Sequence, residues 1–267
     1  MYASNNQLYL GCLLALQACT RAVGAAATSG TLEIDLVFPR NETYAPSALM
    51  PVVLAIQNPA LASSLNLDLY YMISPVGNYN NSLPTFLNLN WANISDSDPY
   101  FVYNSTDLNT EGTWELNWFL GNGHCRDTDD GIFYVLTNTT IDSIIFTTKN
   151  DSSKPDLATA TEGDTCAKEI GMWSVENTLN STSESWGHDT CAVLSKHSPT
   201  SASNPCGVKL NSTAASSISA TLTAAACAAP NSTVSCGADE NAAGVVQISM
   251  GMTWLIAVFG GLTYILA

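Results

Sequence analysis

Basic residues are scarce: Lys and Arg together number 8 against 23 Asp and Glu, leaving a formal net charge of −15 over 267 residues. This excludes nucleic acid as a partner, since neutralising phosphates needs clustered cations. Charge of either sign is thin, at 12% of the chain, while 46% is hydrophobic. Disordered chains show the reverse balance, so a packed core is expected. Histidine occurs only at His124, His188 and His197, in no spacing that suits a zinc site. No C-x-x-C pair and no G-x-S-x-G turn is present, which removes a redox dithiol and the serine-hydrolase elbow. A copper site built on an N-terminal histidine is excluded too, because His124 is the first histidine and no cleavage site exposes one. Helical periodicity is also missing between the two apolar ends, so no helix of useful length is expected there.

Those ends set the expected compartment. Leu8 to Ala18 is an apolar run too short to cross a bilayer, followed by the small triplets Ala22-Val23-Gly24 and Ala25-Ala26-Ala27. Residues 1–24 are read as a signal peptide, although Lys and Arg are absent ahead of the run. Val245 to Ala267 is uncharged and, as a helix, would reach about 35 Å, enough to span hydrocarbon. No basic residue follows it to hold such a helix in place. Preceded by the small triplet Asn241-Ala242-Ala243, residues 242–267 read as a glycosylphosphatidylinositol (GPI) attachment signal with Asn241 as the attachment residue and Gly237 or Ala238 as alternative residues; a single-pass helix is the alternative to the signal.

Cys12 and Cys19 fall in the signal segment and six cysteines remain: Cys125, Cys166, Cys191, Cys206, Cys227 and Cys236. An even number in a secreted chain implies three disulfides. Local pairing is expected, Cys125 with Cys166, Cys191 with Cys206 and Cys227 with Cys236; joining Cys206 to Cys227 and Cys191 to Cys236 is the alternative. N-glycosylation sequons stand at Asn41, Asn80, Asn93, Asn104, Asn138, Asn150, Asn180, Asn211 and Asn231. Chance would supply about five, so the set is enriched.

From residue 30 the apolar residues alternate. Leu32, Ile34, Leu36 and Phe38 share one strand face, with Glu33 and Asp35 expected on an outward face. Pro51 to Pro59 is a continuous apolar run, as in a central strand covered on both sides. Leu65, Leu67, Leu69, Tyr71 and Ile73 form another face. Further strands are expected at 86–91, 99–103, 113–120, 132–136, 144–148 and 172–178, with turn residues between them. The fold class is all-β, an immunoglobulin-like or related β-sandwich over residues 28–195. Residues 196–241 turn Ser/Thr/Ala-rich and read as a disulfide-containing membrane-proximal stalk with one more strand near 216–222.

The segments LEIDLVFPRNETYAPSALMPVVLAIQNPALASSL, GTWELNW, FTTKN, TCAVLS, NPCGVK and ASSISATLTAAAC occur in this order. Over about residues 31–227 they resemble a family of secreted fungal proteins named as a domain of unknown function, number seventy-one thirty-six. The resemblance implies secretion in a filamentous fungus, often with a C-terminal anchor signal. It supplies no activity, cofactor or catalytic residue.

Candidate chemistry is sparse. The run Cys125 to Gly131 holds Asp127, Asp129 and Asp130, but Gly131 stands one position early for an EF-hand and Asn138 takes the place of its bidentate Glu. A solvated loop beside a disulfide is expected instead, with no metal and no cofactor. Glycoside hydrolysis needs two opposed carboxyls; Glu33, Asp35, Glu111 and Glu115 are available, yet nothing pairs them across a cleft. His124 reads as a turn residue. Trp91, Tyr100, Phe101, Tyr103, Trp114, Trp118, Trp173 and Trp186 could stack on sugars, although alternating Trp114 and Trp118 suit a core. The chain is therefore expected to be a fungal cell-surface glycoprotein at the plasma membrane or wall. A lipid anchor or C-terminal helix would tie it to the membrane, and its role would be structural, adhesive or glycan-binding. Its partners would be wall polysaccharide or other surface proteins. The alternative is a carbohydrate-active enzyme using carboxylates the sequence does not identify.

Overall fold

The computed structural model describes residues 28–89, 94, 97–129, 131–180, 190–196, 202–229, 234 and 236. The signal segment and the apolar tail with Asn241 lie outside the described residues.

Ten strands make one continuous mixed sheet: β1 (Gly30–Phe38), β2 (Thr43–Tyr44), β3 (Ser47–Gln57), β4 (Asp68–Pro75), β5 (Leu83–Asn88), β6 (Tyr100–Leu108), β7 (Gly112–Thr128), β8 (Gly131–Thr148), β9 (Lys168–Asn180) and β10 (Thr190–Leu194). Hydrogen bonding runs in the order β2-β8-β7-β10-β9-β1-β3-β6, with β4 paired to the earlier part of β7, opposite β8, and β5 beyond it. The sheet doubles back through β10, which lies parallel to the end of β7 and antiparallel to β9. Its two halves meet across the core. Leu120 of β7 packs on Gly171 of β9, where any side chain would collide with the leucine. Lys168 of β9 lies 4.9 Å above the Trp118 ring of β7.

The alternating and continuous apolar runs find their places. β3, between β1 and β6, is buried from Met50 to Ile56. Leu65, Leu67, Leu69, Tyr71 and Ile73 are all buried, Leu65 from the short helix α1 (Ala62–Leu65) that precedes β4. The expected strands at 132–136 and 144–148 are a single long β8, paired with β7 from Thr148 back to the turn at Gly131. Neither β2 nor β10 was expected.

Two expectations are corrected. Ser216 to Leu222 is not a strand; it lies in the helix α2 (Ser212–Ala228), so a helix of useful length does precede the tail. Seven alanines favour helix, and Asn211 caps it by accepting a hydrogen bond from the Ala214 amide at 2.9 Å. Ala215, Ile218 and Leu222 then fall on one helical face and are buried, in the core that also holds Val208 and Leu210. The described residues 202–229 thus pack on the sheet rather than leaving it after residue 195.

The disulfides are Cys125–Cys191, Cys166–Cys206 and Cys227–Cys236. The sequential scheme holds for Cys227–Cys236 alone, and the alternative pairing does not occur. Fold topology brings β10 beside the end of β7, which puts Cys191 against Cys125. Three disulfides suit a protein that matures in an oxidising, extracellular or secretory compartment.

Candidate functional site

Burial of one face of β4, β5 and β7 leaves their alternate residues outside. Register then aligns Phe86, Tyr70 and Phe119, since Tyr70 stands opposite both others. Ring centroids are 4.4 Å apart for Phe86 and Tyr70 and 5.2 Å for Tyr70 and Phe119, with planes tilted by 30° and 34°. Tyr70 is covered on both sides by its neighbours. Phe86 stands on β5, which pairs only with β4 among the described residues, and is 70% exposed. Phe86 is thus a hydrophobic ring held far into solvent and backed by the stack behind it, and not a core residue.

Polar groups lie further along the same face. The Tyr79 hydroxyl donates to Glu115 Oε2 at 3.0 Å and the Ser143 hydroxyl to Glu115 Oε1 at 3.0 Å. The hydrogen bond to the Glu115 carboxylate, followed by its charge, raises the Tyr79 pKa. Glu115 is therefore held as a fixed acceptor with exposed Tyr79 beside it. Met72 and Asn117, opposite one another in register, connect this polar group to the aromatic row.

Glu33 and Asp35 are not on an outward face. They are 5% and 0% exposed, because the chain at residues 202–207 lies over them. Glu33 accepts hydrogen bonds from the Ser203 hydroxyl (2.8 Å) and the Asn204 amide (2.9 and 3.0 Å). Asp35 Oδ2 accepts from Gln57 Nε2 at 2.8 Å. Burial, the Glu33 carboxyl and Glu169 push the Asp35 pKa up to about 7, against the opposing pull of the Gln57 hydrogen bond. The pair is chemically unusual but sealed from any substrate.

The remaining expected residues scatter. Glu111 accepts the Asn150 amide in a turn. His124 is a strand residue rather than a turn residue; its Nδ1 is 3.0 Å from Asn122 Oδ1, and burial, then Arg126, lowers its pKa. Cys125 to Thr128, expected as loop, are strand as well. Trp118 and Trp173 are core residues, while Trp114, Tyr100, Phe101 and Tyr103 pack partly buried against it; Trp91 and Trp186 lie outside the described residues. Asn41, Asn80, Asn150, Asn180 and Asn211 are exposed, and Asn104 is half-buried on β6. Asn93, Asn231 and the Asn138 side chain lie outside the described residues. A groove of about 460 Å³ between the start of β3 and α2 is lined by residues such as Pro46, Leu49 and Leu222, with no carboxylate or histidine.

The sequence profile of the family described as a domain of unknown function (DUF7136) matches residues 27–236. No curated protein matches the chain.

Proposed function

The chain belongs to the DUF7136 family, whose description assigns no activity, and from that premise we propose a secreted fungal cell-surface glycoprotein that binds glycans of the wall without turning them over. The exposed aromatic row ending at Phe86 carries this reading. Sugars offer C–H faces to an aromatic ring and hydroxyls to fixed acceptors; Phe86 and Glu115 supply one of each on the same face. The doubled-back sheet is read as a β-sandwich of immunoglobulin-like or related type. The apolar tail is read as a GPI attachment signal, and the exposed sequon asparagines as glycan carriers. The sealed state of Glu33 and Asp35 weighs against the hydrolase alternative, because the most perturbed carboxyls cannot reach a glycosidic bond.

The test is to pass purified, secreted protein over insoluble β-glucan, chitin and mannan. Retention on at least one, without release of soluble sugar, supports the reading. Release of sugar, or no retention on any of them, overturns it.

A further inference from the structure

The covered carboxyl pair is linked by hydrogen bonds to the segment above it. Gln57 Nε2, on β3, donates to Asp35 Oδ2 (2.8 Å) and also to the Asn204 carbonyl (3.1 Å). The Asn204 amide donates to Glu33, and Glu33 meets Asp35 two residues along β1. Asp35 Oδ1 is fully buried and receives no hydrogen bond from any donor among the described residues. An ionised carboxylate in that position would leave a buried charge unsatisfied beside a second carboxylate. A protonated Asp35 has the opposite character: its O–H can donate to Glu33, which remains the acceptor for Ser203 and Asn204.

Surrounding groups do not neutralise the pair. Across β1, Asp35 faces Glu169 of β9 on one side and Ala55 of β3 on the other. Lys168, next to Glu169, is engaged with Asp142 at 2.9 Å. Arg40 is engaged with Glu42 and with the Ala160 and Cys166 carbonyls, and Lys209 with carbonyls of residues 161–165. Among the described residues no cation forms an ion pair with Glu33 or Asp35. The overlying segment is also tied at one point only by a covalent bond, Cys206 to Cys166. It continues into buried Val208, and its polar contacts with β1 and β3 are the Ser203 and Asn204 bonds to Glu33 and the Gln57 bond to the Asn204 carbonyl.

We propose that Glu33 and Asp35 share one proton and act as an acid-held latch, fastening residues 202–207 over β1 and β3 when the proton is present and loosening them when it is lost. Losing the proton to water converts the neutral carboxyl into a second carboxylate beside Glu33. Repulsion and desolvation then favour any opening that admits water to the pair. The direction follows from linkage. The closed state holds a proton up to about pH 7, whereas an opened, hydrated Asp35 would release it near its ordinary 3.8. Across that interval, rising pH favours opening.

Hydrogen exchange on the intact, disulfide-bonded secreted protein tests this, after correction for the intrinsic pH dependence of exchange. Protection of the Asn204 and Gly207 amides is expected to fall by more than about ten-fold between pH 5 and pH 8.5. Asp35→Asn, which is neutral throughout yet keeps a donor and an acceptor, is expected to hold protection level over the same range. Unchanged protection in the wild type, or an equal fall in Asp35→Asn, overturns the latch. Should Asp35→Asn fail to fold, carbon-13 titration of wild-type carboxyls decides it: a midpoint near neutral pH supports the shared proton, and midpoints all in the ordinary carboxylate range overturn it.

Discussion

Phe86 and Trp118 show how differently two aromatic residues serve one sheet. Phe86 points outward from the β5 edge and is 70% exposed, whereas Trp118 is 1% exposed beneath Lys168. Phe86→Ala is therefore expected to lower retention on the bound polysaccharide several-fold while changing unfolding free energy by about 0.5 kcal/mol or less. Trp118→Ala should cost about 3–5 kcal/mol, measured by urea denaturation, by emptying the core. If Phe86→Ala binds as well as the wild type, the aromatic row is not the site. Local sequence pattern does not single out Phe86 among the aromatic residues. Phe86 lies in a run with ordinary strand character, and only its edge position, with Tyr70 and Phe119 filling the inner side of the stack, turns it outward. Glu33 and Asp35 fail in the opposite direction: their alternation with Leu32, Ile34 and Leu36 is real, but residues some 170 positions later cover the second face.

Among the elements, α2 gives the sharpest separation of local from modified chemistry. Asn211 is both the helix cap and a sequon asparagine. Asn211→Ala removes both roles and is expected to cost about 1 kcal/mol of stability. Thr213→Ala removes the sequon but leaves the cap, so its unglycosylated form should keep the stability that Asn211→Ala loses. Comparing denaturation midpoints of the two enzymatically deglycosylated variants checks this; equal losses would show that the cap contributes nothing. The helix is not legible in the sequence because Ser and Thr interrupt its alanines, and because Ile218 and Leu222 are too few to set a periodicity by themselves.

For the whole molecule, the bridges hold the doubled sheet together. Cys125–Cys191 closes a separation of 66 residues and ties the end of β7 to β10, where the sheet turns over. Loop entropy puts the loss on replacing both with serine at about 4 kcal/mol, measured as the shift in unfolding free energy. Non-reducing peptide mapping is expected to recover Cys125 with Cys191 and Cys166 with Cys206; a Cys125–Cys166 peptide would contradict the topology. Stability should also fall from pH 5 to pH 8. Asp35 stays protonated in the folded state up to about 7 and ionises near 3.8 when unfolded, so the folded state binds the extra proton in this window. The formal charge of −15 acts in the same direction through self-repulsion. Melting temperatures at several pH values, with and without salt, check it, and a steady rise toward pH 8 would refute it.

Local patterns determined the strand-rich class, the buried run of β3, the apolar face that became β4, the even set of six cysteines and the expectation of terminal signals. Each depends on residues close together in sequence, where a period of two or a small-residue triplet is directly visible. Tertiary structure alone decided which cysteines meet, which carboxyls are sealed and which aromatic ring faces water. Those outcomes depend on contacts between distant segments: β10 beside β7, residues 202–207 over β1, and β5 at the edge. No spacing rule reaches across such distances, because burial belongs to the pair of surfaces that meet and not to either strand by itself.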